Sequence, residues 1–388
     1  MFHKFMPKRK KTKNNNLAKL VVVGIGGAGG NAVTRMNDSL PSGVDLIVVN
    51  TDIQDLNQCL AKKRIYIGKN LTRGLGTGMN PELGRQAAEE NQSEIVEILK
   101  GADMVFLTAG FGGGTGTGAL PVIADIARDL GILTVAIVTK PFGFEGFERT
   151  RIAEEGIARL RDKVDTLITI PNDRIFSVIN KNTSLLKAFE AIDEILKNAV
   201  LGVAELITIP GLINVDFADI RAVMQNAGSA IIGMGIASGA ERAANAAKFA
   251  ISSPLLEISI DGAKGVIFSI SGHRDLKMTE VNEIARLISE TVHSPAKIIF
   301  GVHYDRKLKK GDIKVTLVAT GFNGGGRKET GVLPNLFVFE PSVRVEAITA
   351  EKEAHQIKEK EFSRAKEKKE EKKEDVWDIP AFLRKKRK

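Results

Sequence analysis

The sequence predicts an α/β protein: a Rossmann-like parallel-sheet domain, a long central helix, a second and smaller α+β domain, and a charged C-terminal tail. Three observations predict this. From Lys19 to about Pro171, apolar runs alternate with segments of helical period. Glycine clusters fall where two of those runs end. After Ser229 the alternation gives way to strand-like runs with only two clear helical segments among them.

The first part reads as strands at LVVVGIG, DLIVVNT, RIYIG, MVFLTAG, LTVAIVTKP and TLITIP. Continuous Val, Ile and Leu separated by helices mark strands buried on both faces, the pattern of a parallel sheet under helical cover. Residues 80–100 and 118–131 are helix-period segments between such runs. The stretch TSLLKAFEAIDEILKNAVLGVAELIT, 183–208, reads as one long, mostly buried helix, followed by the loop PGLINVDFADI at 210–220. SAIIGMGIAS, LEISIDGAKGVIFSISG, AKIIFGVHYD and DIKVTLVATGF then read as strands of the second domain. Residues 351–375 hold nine Lys or Arg and nine Asp or Glu without Pro or Gly, so they are either a solvated helix or a disordered spacer. VWDIPAFLRKKRK, 376–388, is an apolar island after that polar run, with the look of a docking motif in Trp377, Ile379, Pro380, Phe382 and Leu383. The expected divisions are a basic N-terminal tail (1–18), the parallel-sheet domain (19–182), the central helix (183–209), a loop with its following helix (210–229), the α+β domain (230–322), a charged linker (323–375) and the docking peptide (376–388).

The 388 residues suffice for two domains with real cores, and the apolar fraction of 43% is ordinary for a globular protein. A single cysteine, Cys59, excludes an internal disulfide and fits a reducing cytosol. No run of about 20 apolar residues predicts a transmembrane helix. The N-terminus imitates a signal peptide, but its apolar part is short, glycine-rich and runs into a polar helix pattern. Of the net charge of +9, the tails supply +10: residues 1–13 carry six Lys or Arg and no acid, and 376–388 carry five against Asp378. The body from 14 to 350 sums to −1, so no nucleic acid is expected to bind it. The basic tails suit a membrane surface, nucleic acid or an acidic partner, or serve solubility alone.

Chemistry concentrates in two glycine loops, each after a strand and before a helix. GIGGAGGN, 24–31, fits the dinucleotide pattern at Gly24, Gly26 and Gly29, with Asp45 or Asp52 as the following acid. GFGGGTGTG, 110–118, offers backbone N–H groups at a helix N-terminus, the physical basis of an anion site, and Thr115 and Thr117 add hydroxyls. Two phosphate cradles on one sheet fit a nucleoside di- or triphosphate better than a lone dinucleotide turn. A Walker P-loop is absent, so phosphate charge falls to N–H groups, a helix dipole and a metal, with Arg149 the nearest candidate cation.

GGGTGTG at 112–118 resembles the tubulin-superfamily signature. With GGAGGN (26–31), NTD (50–52), RGLGTGMNPE (73–82), PFGFEGFER (141–149) and NVDFADI (214–220), the chain resembles the FtsZ family of bacterial cell-division GTPases from about Lys19 to Phe322. The likeness resumes at DIPAFLRKK (378–386), which looks like that family's C-terminal docking peptide. The resemblance implies that Gly27, Ala28, Gly29, Gly30 and Asn31, with Gly112, Gly113, Gly114, Thr115, Gly116 and Thr117, cradle the phosphates of GTP or GDP. Glu145 and Arg149 would contact ribose and phosphates, and Mg²⁺ would be bound mainly through the phosphates. Asn172, Phe189 and Asp193 would form the base pocket. Guanine offers N1–H and N2–H, which the Asp193 carboxylate accepts as a pair while Phe189 stacks; the two stand four apart on one helix face. Plain core packing is the alternative for Phe189.

Asp216 and Asp219 stand three apart at a helix start, where N-capping is the simple explanation. The resemblance implies instead that Asn214, Asp216 and Asp219 orient and deprotonate the hydrolytic water in the site of the next subunit of a head-to-tail filament. It further implies a cytoplasmic place at mid-cell on the inner face of the membrane, with membrane-tethering and regulatory division proteins docked on the C-terminal peptide. A Rossmann-type oxidoreductase and a non-hydrolysing structural filament protein are the competing readings.

Overall fold

The computed structural model describes residues 18–322, apart from 42, 181, 254–258, 293–294 and 306. The expected N-terminal tail up to residue 17, the charged linker and the docking peptide with Trp377, Ile379, Pro380, Phe382 and Leu383 lie outside the described residues.

The apolar runs of the first part form six parallel strands: β1 (Leu20–Ile25), β2 (Val44–Asn50), β3 (Lys63–Tyr66), β4 (Met104–Gly110), β5 (Leu133–Lys140) and β6 (Thr166–Pro171), in spatial order β3-β2-β1-β4-β5-β6. The connecting helices are α1 (Gly26–Met36), α2 (Ile53–Gln58), α3 (Lys69–Thr72), α4 (Pro81–Glu90), α5 (Gln92–Leu99), α6 (Thr115–Asp129) and α7 (Phe147–Arg161). Strand alternation divides the core. Leu20, Val22, Phe106 and Ile137 pack with α1 and with α8 (Leu185–Thr208) on one face. Val21, Val23, Leu107 and Val138 pack with α4 to α7 on the other. Both faces are covered, which is why the inner strands are nearly continuous in apolar residues, while the edge strand β3 exposes Lys63 and Arg64.

The chain continues through α9 (Phe217–Met224), β7 (Gly228–Ser238), α10 (Arg242–Ile251), β8 (Gly265–Gly272), α11 (Met278–Thr291), β9 (Lys297–Tyr304) and β10 (Asp312–Thr320). β7 lies parallel to β6 over three residue pairs, and the order runs on as β7-β10-β8-β9. The described residues therefore share one ten-stranded sheet, and the second part is joined to the first through a short seam. The seam is fixed at its start: the Thr166 hydroxyl donates to the Met224 carbonyl (2.6 Å) and Gly228 N–H to the Asp165 carbonyl (2.9 Å). Beneath α10 and α11 a separate apolar core gathers Phe268, Val281, Ile284 and Val315.

Three helices differ in detail from their sequence patterns. Residues 80–100 are two helices, parted at Asn91, whose side-chain oxygen takes the Gly68 N–H (2.9 Å). The helix expected from 118 begins at Thr115 and so absorbs the end of the glycine loop. The long helix is buried at Ile192, Leu196, Val200 and Ala204, but its first turns are open, with Leu186 67% and Phe189 42% exposed. At its far end Glu205 is buried against His303 of β9 (3.4 Å) and Lys314 of β10 (3.6 Å). Burial pushes this carboxyl up, but the neighbouring His303 ring and the charge of Lys314 outweigh it and hold Glu205 below the ordinary range.

Candidate functional site

Where β1, β4, β5 and β6 end, a cavity of about 480 Å³ opens. This is where a parallel sheet binds ligands. Its floor is made by two helix N-termini. α1 starts at Gly26 and α6 at Thr115, and neither has a side-chain cap. Their neighbours α2 and α4 are capped by Asp52 and Asn80, which accept two N–H groups each. The first N–H groups of α1 and α6 are thus left for an anion to satisfy.

The glycines divide into two kinds. Gly113 faces open space, and a Cβ there would meet nothing within 4 Å. Gly112 has φ +101°, a conformation that favours glycine, and sets the turn that brings the loop round. Gly29 and Gly30, expected in the cradle, are buried away from the cavity. A Cβ on Gly29 would lie 2.4 Å from the Thr108 carbonyl oxygen, so this glycine lets α1 pack on β4.

Of the expected cradle residues, Gly27, Ala28, Gly113, Gly114, Thr115 and Gly116 line the cavity. Gly29, Gly30, Asn31, Gly112 and Thr117 are not among its lining residues. Asn31 is exposed on the outer side of α1. Thr117 is buried, and its hydroxyl accepts the Gly112 N–H (3.0 Å), which commits it to the loop itself. The Thr115 hydroxyl is held between those of Thr51 (2.6 Å) and Thr77 (2.9 Å).

Glu145 and Arg149 line the mouth and pair with each other at 3.0 Å, while the second Glu145 oxygen accepts the Phe142 N–H (2.9 Å). Asn172, Phe189 and Asp193 line the same cavity. Phe189 stands edge-on to Phe142 with ring centroids 5.6 Å apart. Asp193 Oδ2 accepts Arg35 Nε–H at 2.8 Å, from α1. Burial pushes the Asp193 carboxyl up, and the Arg35 hydrogen bond and charge pull against that shift.

Sequence reasoning left several lining residues without a role, and gave Asp52 one only as a candidate acid of the dinucleotide pattern. Asn50, Asp52 and Asp55 reach the cavity from the end of β2 and from α2, and Leu75 to Gly78 from the loop before α4. The signals were present, as NTD and as the glycine spacing in GLGTG. Asn50 Nδ2 and Asn172 Oδ1 are buried with no partner among the described residues. Such atoms ordinarily find one, so both are open to a ligand.

Asn214, Asp216 and Asp219 are exposed and belong to no part of this cavity. Asp216 caps α9 by accepting the Asp219 N–H (2.7 Å), and Asn214 accepts the Gly211 N–H (2.7 Å). The Asp219 carboxylate has no partner among the described residues. α8 separates the two places: Phe189 and Asp193 lie in its first turns, the loop follows its end, and its 24 residues span about 36 Å. Contacts of α9 confirm the distance. Arg221 donates to the Gly131 carbonyl (3.0 Å), just before β5 begins, whereas the cavity lies past the end of β5.

The GTPase domain model of the Tubulin/FtsZ family matches residues 19–180, and the C-terminal domain model of the FtsZ family matches residues 228–323. An empty FtsZ dimer from M. jannaschii is 47% identical, with a TM-score of 0.76 over 79% of this chain and 89% of that one. CetZ1 of Haloferax volcanii, a GDP-bound monomer, is 22% identical with a TM-score of 0.67, covering 79% of this chain and 95% of that one. CetZ2 from the same organism, a GTPγS-bound protofilament, is 22% identical with a TM-score of 0.66 over 80% and 95%. These two share the fold.

Proposed function

The chain belongs to the FtsZ family of tubulin-like GTPases, and from that premise we propose that it binds GTP, hydrolyses it to GDP and phosphate, and polymerises head to tail into filaments of the cytokinetic ring. One observation carries the reading. Two helix N-termini without side-chain caps open on one cavity that Phe189 and Asp193 also line. The first feature suits phosphates and the second suits guanine.

Gly27, Ala28, Gly113, Gly114, Thr115 and Gly116 approach the phosphates, and Glu145 and Arg149 the ribose and phosphates. Asn172, Phe189 and Asp193 take the base. Among the described residues, the cavity wall carries four carboxylates, Asp52, Asp55, Glu145 and Asp193, against one cation, Arg149. Phosphate charge therefore needs a cation from solution. Among the described residues no cluster of three or more His, Cys, Asp or Glu could hold a metal unaided. Asp52 and Asp55 would hold Mg²⁺ as hard oxygen donors beside the cradle. Held there, the ion would supply positive charge against the phosphates.

The water-orienting groups come from the next subunit: Asn214, Asp216 and Asp219 are exposed and follow the end of α8, whereas their own cavity reaches along that helix only to Leu196. Self-association is supported by Leu75, which lines the cavity, and by Phe144 and Phe176, whose rings lie against Phe142 beside Phe189; each of the three is more than half exposed. An apolar patch of that kind on a surface marks an interaction site. The chain acts in the cytoplasm at the division site, and residues 376–388 dock tethering and regulatory division proteins. Among the described residues no helix is long and apolar enough to cross a membrane.

Light scattering tests the reading. GTP with Mg²⁺ should raise scattering, ATP with Mg²⁺ should not, and chelation should reverse the rise as phosphate release stops. Equal responses to the two nucleotides, or none to either, would contradict it.

A further inference from the structure

Resting on that reading of the cavity, we infer that Arg35 is a specificity-positioning residue: it holds the Asp193 carboxylate in the charged, oriented form that guanine requires. Arg35 does not line the cavity. It reaches from the last turn of α1 and donates its Nε–H to Asp193 Oδ2 at 2.8 Å, while its Nη1 stands 3.6 Å from Glu190. The Asp193 side chain is only 14% exposed; that of Arg35 is 35% exposed. A guanidinium outside the wall thus grips a carboxylate inside it.

The chemistry of the base makes the charge state decisive. Guanine presents two donors, N1–H and N2–H, and only a carboxylate accepts both. A neutral carboxyl presents an O–H, which opposes guanine N1–H but which adenine N1 accepts. Burial drives a carboxyl toward that neutral form. The groups around Asp193 are few: Glu190 and Glu194 on α8 itself disfavour its charge, and Arg35 on α1 favours it. Glu145 and Arg149, which also line the cavity, are paired with each other. Arg35 is thus the cation set against burial and two like charges.

The test measures GDP and ADP affinity of the full chain by competition at a lower and a higher pH, the lower lying on the side toward which a buried carboxyl released from its cation takes up a proton. The unmodified protein should prefer GDP equally at both. Arg35→Met should keep the preference at the higher pH and lose about tenfold of it at the lower, as a carboxyl loses about tenfold of its ionised fraction per pH unit below its pKa. Arg35→Lys should restore it. If circular dichroism finds Arg35→Met unfolded, Arg35→Gln takes its place, keeping a hydrogen bond without the charge, and the same pH-dependent loss is expected. A variant that weakens GDP and ADP alike at both pH values, or that discriminates as the unmodified protein does, would overturn the assignment. Failure of the unmodified protein to prefer GDP would instead overturn the reading of the cavity.

Discussion

Asp193 is where folding and recognition meet on one side chain. Folding places a carboxylate in the wall of a cavity and compensates it with Arg35; recognition needs the same oxygens to face a base. Asp193→Asn keeps the shape and removes the charge. It sets an amide donor against guanine donors, and leaves a half-exposed arginine that water can solvate. An unpaired buried polar contact costs about 1–3 kcal/mol, so GDP affinity should fall roughly 5- to 150-fold while ADP affinity holds or rises. Competition binding at neutral pH checks this. Unchanged GDP affinity would remove Asp193 from the base pocket.

Helix α6 shows what the glycine signature does between elements. Gly118 lies in its first turns, and a Cβ there would lie 1.9 Å from the Pro81 carbonyl oxygen and 2.7 Å from Arg85 N, both in α4. Gly118→Ala should push α4 away and cost about 1–3 kcal/mol of stability, read as a lowered denaturant midpoint. Nucleotide affinity should fall with it, because the loop before α4 lines the cavity. An unchanged midpoint would contradict the close packing of the two helices. The strands were legible because burial on both faces leaves no polar position to blur them. The break at Asn91 was not, since its partner Gly68 is 23 residues away and leaves no local trace. The same holds at the site. Glycine at 29 and glycine at 113 look alike in sequence, yet one accommodates a strand and the other faces the cavity. Asp193 was legible as a polar residue on an apolar helix, whereas its partner Arg35 was invisible until α1 and α8 were side by side.

For the molecule as a whole, the central claim is that one subunit holds the nucleotide and the next supplies the groups that hydrolyse it. The cavity is lined by the first half of α8, as far as Leu196, the Asp216–Asp219 loop follows the end of that helix, and the one carboxylate there without a partner among the described residues is that of Asp219. An N-cap is already provided by Asp216, so loss of the Asp219 side chain should spare the fold and GTP binding. The most direct measurement is GTP turnover per subunit against protein concentration, for the unmodified protein and for its mixtures with Asp219→Ala. Turnover per subunit should rise with concentration, because an active site exists only between two subunits. Asp219→Ala alone should bind GTP and hydrolyse it poorly, and in mixtures it should depress the turnover of each unmodified subunit through dead junctions. Turnover strictly proportional to concentration, down to dilutions where no filament persists, would mean that each subunit carries a complete site, and would contradict the account.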